Sequence, residues 1–226
     1  MHSSLLIGRG GTRIMIDCGA DWLGRIEDIS PSAIVVTHGH TDHAFGLWHG
    51  APCPVYATAE TWQLLDRMPI ALRELVHPRT VFAIGPVEFE AVPVIHSPIG
   101  PAVGYRITVD QTSFFYVPDV LRIPGSVDVL SGIDLYIGDG ARLEHSIVRG
   151  KGARASGHAS IRDQLTWCAD AKVSDAIFTH CGTPIINANP KSIGEALRSL
   201  ARPLGVHASF AVDGRMLFLG ATASAS

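Results

Sequence analysis

The sequence predicts a layered α/β sandwich whose functional groups stand at the ends of buried strands. Three observations carry this reading. Short apolar runs recur along the chain, among them AIVVT (33–37), LYIGD (135–139) and AIFTH (176–180). Segments with helical apolar spacing lie between or after these runs, so helices are expected to cover the strands. His and Asp side chains stand just after the apolar runs. Rigid strand ends and converging loops place sites there in α/β folds.

The elements follow in order. SSLLI (3–7) and RIMID (13–17) read as a hairpin with Gly8, Gly10 and Gly11 between them. AIVVT is a buried strand leading into a histidine-rich stretch, and PVYAT (54–58) is the next strand. AETWQLLDRM (59–68) has helical spacing. VFAIG (81–85), VEFEAVPVI (87–95), VGYRITV (103–109) and SFFYVPD (113–119) are short strands broken by Gly, Pro or Asp-Gln turns. LYIGD is another. IRDQLTWCADA (161–171) reads as a helix on the spacing of Ile161, Leu165 and Trp167/Cys168, with Ser160 placed to cap it. AIFTH is a strand and KSIGEALRSLA (191–201) the last helix. MLFLG (216–220) reads as a last strand after an Asp213-Gly214 hairpin turn, and ATASAS (221–226) as a frayed tail. Nothing resembles a linker or a repeat, so residues 1–226 are expected to form a single domain.

Hydrophobic residues make up 46% of the chain and charged residues 17%, enough for a sizeable core and unlike a disordered sequence. The formal net charge is −3, so no broad basic surface is expected and long nucleic acid is disfavoured as a partner. A small basic mouth for a phosphate group is compatible with that charge. Cys18, Cys53, Cys168 and Cys181 form no CxxC pair and read as buried or incidental thiols. The opening MHSSLLIGRGG lacks the charged start and long apolar run of a signal peptide. No apolar run reaches the ~18 residues of a membrane span. A cytoplasmic location is expected, with no membrane contact; the oligomeric state is open, a homodimer included.

The strongest signal is His38-Gly39-His40-Thr41-Asp42-His43, four ligand-type side chains in six positions. In an extended segment, residues i and i+2 point the same way, so His38 and His40 can grip one ion. Asp42 and His43 follow as the chain turns and can reach a second. His96 ends VPVI, Asp119 follows FFYVP, and His180 ends AIFT. Each alone reads more simply as a satisfied polar residue; beside the cluster they read as ligands. Imidazole and carboxylate suit zinc, the default, and also manganese or iron.

These residues resemble the metallo-β-lactamase superfamily: a strand, then T-H-x-H-x-D-H (37–43), then His96, Asp119 and His180 at strand ends. RIMIDCG (13–19) is similar to the family's early strand ending in Asp-x-Gly, and the likeness covers nearly the whole chain. It implies a four-layer αββα sandwich and two divalent metal ions. It further implies that His38, His40 and His96 hold one ion, that Asp42, His43 and His180 hold the other, and that Asp119 bridges them. Asp17 is implied to orient a ligand, a strand-end turn residue being the plainer reading. Family members commonly carry a further strand and loop before the SSLLI-like strand, which leaves the first edge of one sheet open here.

The fold alone does not give the substrate. The oxidoreductase branch usually has Glu at the second ligand position, where this chain has His40. The best-known zinc β-lactamases lack the counterpart of His43 and use a Cys ligand. Here Asp119 stands at the later position, and Cys181 follows a ligand without replacing it. His96-Ser97-Pro98 ahead of the Gly104-Tyr105 strand looks like the ribonuclease Z and cyclic phosphodiesterase branch. Gly157-His158-Ala159-Ser160 is similar to that branch's catalytic histidine segment. The resemblance therefore implies a phosphodiesterase acting on a small-molecule or terminal phosphodiester through a dinuclear metal-bound hydroxide. Asp42 would orient or deprotonate the attacking water. His158 would stabilise the phosphoryl charge or protonate the leaving oxygen. A loop histidine ahead of a helix cap is its plainer reading. Only ~23 positions separate His96 from Asp119, too few for the long arm of tRNA-processing relatives. A thioester or lactone hydrolase of the same fold and a non-hydrolytic metal-binding protein are the alternatives. Gly138-Asp139-Gly140 reads as a turn near the site. His145, Arg149, Lys151 and Arg154 read as a solvated loop or else as a phosphate-attracting lip.

Overall fold

The hairpin that the early glycines predict is present: β1 (Leu5–Arg9) and β2 (Thr12–Ile16) pair antiparallel around Gly10 and Gly11, both at positive φ. The computed structural model describes residues 2–219. β3 (Ala33–Val35), β4 (Val55–Thr58) and β5 (Arg73–Val76) add to β2 in parallel and complete a five-stranded sheet in chain order. The chain then builds a second sheet from β6 (Val81–Ile84), β7 (Val87–Val94), β8 (Ala102–Val109), β9 (Thr112–Tyr116) and β10 (Leu135–Asp139). A separate two-stranded ribbon follows, β11 (Ile147–Arg149) with β12 (Ser156–His158). β13 (Asp175–Thr179) and β14 (His207–Phe210) finish the second sheet, whose order is β14-β13-β10-β9-β8-β7-β6.

Period-two alternation sorts the strand side chains into layers. Ile14, Ile16 and Val35 of the first sheet meet Phe89, Tyr105, Tyr116 and Ile137 of the second in one buried cluster between the sheets. The intervening Met15 and Ile34 face outward onto Trp22, Ile26, Leu47 and Leu65. These belong to the short helices α1 (Ile26–Ile29), α2 (Thr41–Ala44) and α3 (Ala59–Leu64) and to the turns beside them. On the other outer face lie α4 (Ser126–Leu130), α5 (Ile161–Asp170), α6 (Thr183–Ile186) and α7 (Pro190–Ala201). There Phe115, Tyr136 and Phe178 pack with Leu165 of α5 and Leu197 of α7. Three apolar layers separate four structural layers, the αββα sandwich that the resemblance implied. Strands covered on both faces need apolar side chains at every position. That is why AIVVT and FFYVP do not alternate.

Two cross-sheet hydrogen bonds fix the end of this sandwich that carries the histidines. The buried Tyr105 hydroxyl on β8 donates to the Val36 carbonyl at 3.0 Å, and the Val103 amide donates to the Thr37 carbonyl at 3.1 Å. Several sequence readings are corrected. Residues 216–219 form no strand, although the turn before them is present, with Arg215 N donating to Val212 O. Phe218 is 91% exposed. Apolar composition is not enough for a strand without a partner backbone. The outer position on β13 is taken by β14, which the sequence reading passed over, as it did β5. Gly220 and the tail at 221–226 lie outside the described residues. α3 stops at Leu64, short of the helical stretch read to 68: residues 65–67 form a turn, and Met68 stands before Pro69, where helix is disfavoured. Ser160 caps α5 as expected, its hydroxyl accepting from Asp163 N at 3.1 Å. Among the described residues no helix is long and apolar enough to cross a membrane.

Candidate metal centre

All seven ligand-type residues converge at one end of the sandwich. The chain leaves β3 extended through His38 and His40 and then turns into α2, which carries Asp42 and His43. Gly39 between the histidines has no room for a side chain, since a Cβ would sit 2.8 Å from Leu64. His96 follows β7, Asp119 follows β9, and His180 follows β13. His180 holds a left-handed φ of 50°, an unfavourable conformation for a residue with a Cβ. The donor atoms form three overlapping sets that share Asp119. His38, His40, His96 and Asp119 make one; Asp42, His43, Asp119 and His180 make another; Asp119, Asp139, His158 and His180 make the third; within each set all donors lie within 4.8 Å of one another. The first two are the sets that the sequence pairs with metal ions.

The hydrogen bonds around the cluster decide which ring nitrogens face inward. His96 Nδ1 lies 3.0 Å from the Gly157 carbonyl, which only accepts, so Nδ1 carries the proton and Nε2 presents a lone pair. His43 Nδ1 donates to Asp17 Oδ2 at 2.8 Å, which leaves its Nε2 inward. The Thr37 hydroxyl donates to Asp17 and accepts from His38 Nδ1 at 3.0 Å, so His38 also turns Nε2 inward. His40 Nδ1 meets these lone pairs, 3.0 Å from His38 Nε2 and 3.4 Å from His96 Nε2. One proton cannot satisfy three converging nitrogens, whereas a cation can. In the second set, His43 Nε2, Asp119 Oδ1 and His180 Nδ1 are buried without a hydrogen-bond partner. Asp119 Oδ1 and His180 Nδ1 stand 2.9 Å apart yet are not aligned as donor and acceptor. Orphaned buried donors of this chemistry fit divalent ions.

Asp17 is more than a turn residue. Fully buried at a left-handed φ of 59°, it accepts from Thr37 N, Thr37 Oγ1 and His43 Nδ1, and so fixes two ligand rings at once. The next two residues cradle α2. Cys18 N donates to His43 O at 2.7 Å, and a Cβ on Gly19 would sit 2.0 Å from the Asp42 carbonyl oxygen. Gly19→Ala is accordingly expected to displace Asp42 and His43, to destabilise the fold by roughly 1–3 kcal/mol through overpacking, and to weaken metal retention. Thermal melts with and without metal check this, and wild-type behaviour in both would contradict the cradle.

Charge is distributed unevenly over the rings. Burial pushes His38 down to about 4 and lowers His96, so both rings are neutral. At His43 burial also opposes charge, but the Asp17 and Asp119 carboxylates outweigh it and hold the ring raised. At His180 burial is outweighed by Asp119 and Asp42, and the value rises to about 10. The His180 ring holds Asp42 below the usual carboxylate range. Asp119 is buried yet also held low, by His180, His38 and His43. Without metal, His43 and His180 therefore carry protons at neutral pH that a cation must displace. Metal uptake near pH 7 is expected to release up to two protons per chain, and apparent affinity to rise with pH toward about 10. Titration calorimetry in buffers of different ionisation enthalpy measures the release; none would mean that both rings are neutral beforehand.

His158, at the end of β12, belongs to the third set, and its Nδ1 lies 3.7 Å from Asp119 Oδ1. Its ring stands 5.1 Å from that of His96 and stacks on His180 at 5.7 Å. Its Nδ1 donates to Asp139 Oδ2 at 2.7 Å. Asp139, at the end of β10, is fully buried and also accepts from Val120 N and Ala141 N. Its backbone amide donates to Gln164 on α5, and its carbonyl accepts from that side chain in return. Sequence reading took Gly138-Asp139-Gly140 as a turn and missed this partnership. The available signal was LYIGD, one more apolar strand ending in Asp. Burial raises Asp139, partly offset by His158. At His158 burial opposes the proton, but Asp139 outweighs it and the ring is raised.

Two facing sheets, outer helices and a histidine–aspartate donor set at one end define a metal-dependent hydrolase of the αββα class. The chain belongs to the metallo-β-lactamase superfamily: the family model described as beta-lactamase superfamily domain matches residues 12–181, a span that includes all seven donors. The chain is 25% identical to a ribonuclease Z from Mycobacterium marinum (strain ATCC BAA-535 / M), over 81% of each chain. Among solved structures it is similar to a diphosphatase from the PhnP family, with 24% identity, TM-score 0.63, and 80% of this chain and 73% of that one covered. It is also similar in fold to the metallo-beta-lactamase fold protein YhfI from Bacillus subtilis, with 18% identity, TM-score 0.73, and 93% and 88% covered.

Proposed function

We propose that the protein is a metal-dependent phosphodiesterase acting on a small-molecule or terminal phosphodiester. In this reading His38, His40 and His96 hold one divalent ion, Asp42, His43 and His180 hold a second, and Asp119 serves both. Zinc is the first candidate and manganese the second. Two such ions would supply Lewis acidity toward a phosphoryl oxygen and lower the pKa of bound water. The chain's own residues orient and move protons. Asp42, ionised and half-buried at the edge of the donor set, orients the attacking water. His158 delivers the proton that the leaving oxygen needs.

The observation that carries this reading is the His158–Asp139 pair. Asp139 anchors the ring through Nδ1 and favours its protonated form, while Nε2 makes no hydrogen bond among the described residues. An alkoxide leaving from phosphorus is strongly basic and gains much from a poised acid. A thiolate, with an ordinary pKa of about 8.5, gains far less, so the pair favours phosphodiesters over thioesters. Two relatives support chemistry at phosphorus, one named a ribonuclease, which cleaves phosphodiesters, and the other a diphosphatase. The test is hydrolysis of bis(p-nitrophenyl) phosphate by the protein loaded with zinc or manganese, against a metal-stripped control. Metal-dependent release of p-nitrophenolate is expected. Cleavage of a thioester or lactone without any phosphodiester turnover would replace this reading.

A further inference from the structure

From His145 to Arg162 the chain carries no carboxylate, yet it carries Arg149, Lys151, Arg154 and Arg162 in a protein of net charge −3. Arg162 is neutralised by Glu144 at 2.9 Å. Among the described residues the other three make no ion pair, and all are exposed. They lie on the β11–β12 ribbon and its turn.

That ribbon is rooted in the candidate site. Gly157 N donates to His96 O at 2.9 Å, His96 Nδ1 donates back to Gly157 O, and Ala159 N donates to Val120 O at 2.6 Å. The register sets Ile147 opposite His158 and Arg149 opposite Ser156. Side chains directly opposite in an antiparallel pair leave the same face, as do residues two apart along one strand. Arg149 therefore shares a ribbon face with His158 and lies two residues, roughly 7 Å, along it. Lys151 and Arg154 continue the positive charge into the turn. An unpaired guanidinium on the ribbon face that carries His158 is suited to recognising an anion.

We propose that Arg149 binds a second anionic group of the substrate, with Lys151 and Arg154 extending the same field. The substrate class is then a phosphodiester that carries a further phosphate, either on the far side of a nucleoside or within a diphosphate. This assignment of substrate rests on the phosphodiesterase reading; the anion site itself does not.

Binding to the metal-loaded protein tests it by calorimetry, with thymidine 3′-phosphate, thymidine 3′,5′-bisphosphate and thymidine 5′-diphosphate as probes. Wild type is expected to bind one of the two doubly phosphorylated compounds about tenfold or more tightly than the monophosphate. Which one it prefers identifies the source of the second phosphate. In Arg149→Gln that ratio is expected to fall to about one, while Arg162→Gln, already paired in the wild type, keeps it. Each ratio is taken within one variant, so loss of folded protein cancels. Equal affinity for all three probes in the wild type, or a preference that survives Arg149→Gln, would overturn the proposal. If bis(p-nitrophenyl) phosphate is not cleaved but the Arg149-dependent preference persists, the phosphodiesterase reading fails and the anion site stands.

Discussion

His158→Ala is expected to lower kcat on an alkyl phosphodiester by about 10²- to 10⁴-fold, with bound metal unchanged. The loss should be smaller on bis(p-nitrophenyl) phosphate, because p-nitrophenolate leaves without needing a proton. That contrast separates proton delivery from simple charge stabilisation, which would depress both substrates alike. Asp139→Asn keeps the shape of the pair and removes its charge. It should lower the pH at which activity on the alkyl ester declines, because His158 would then lose its proton earlier. A His158→Ala variant that lost metal would instead place this ring among the ligands. A variant with full activity would remove it from the chemistry.

Asp119→Ala is expected to release both ions under conditions in which wild type retains two, with turnover falling below detection. His180→Ala should release one. The difference follows from geometry: Asp119 Oδ2 lies 3.4 Å from His38 Nε2, 3.3 Å from His43 Nε2 and 3.4 Å from His96 Nε2, whereas His180 is absent from the set made by His38, His40 and His96. Metal content after desalting, measured by elemental analysis, decides the matter. Wild-type content in both variants would sink the ligand assignment. Comparison of metal-free melting temperatures guards against a folding defect, since removing Asp119 leaves buried imidazoles beside fewer negative charges.

What the sequence disclosed and what it hid have physical causes. The residues 38–43 were legible because four ligand types share one short turn, so their proximity is covalent. His96, Asp119 and His180 were legible because each ends an apolar strand, and strand ends converge. The layering was legible in unbroken apolar runs such as AIVVT. The Asp139–His158 pair was hidden because its partners are far apart in sequence and meet only when β10 and β12 are in place. β14, with the sequence HASF, carries little apolar character and exists because β13 offers a free edge. MLFLG misled for the opposite reason: it is apolar but has no ladder partner at 216–219.

The seven donors are divided between the two sheets, four following β3 and three following β7, β9 and β13, and the cross-sheet bonds from Tyr105 and Val103 join the sheets at the root of the histidine stretch. Neither sheet alone presents a closed donor set. During folding, the ions therefore have no finished seat until the sheets have docked, and they cannot template the early steps. Once seated, such ions would act as a latch across the seam. Depleting metal should thus leave the refolding rate almost untouched and accelerate unfolding, so that the lifetime of the native state, more than its formation, follows the metal supply.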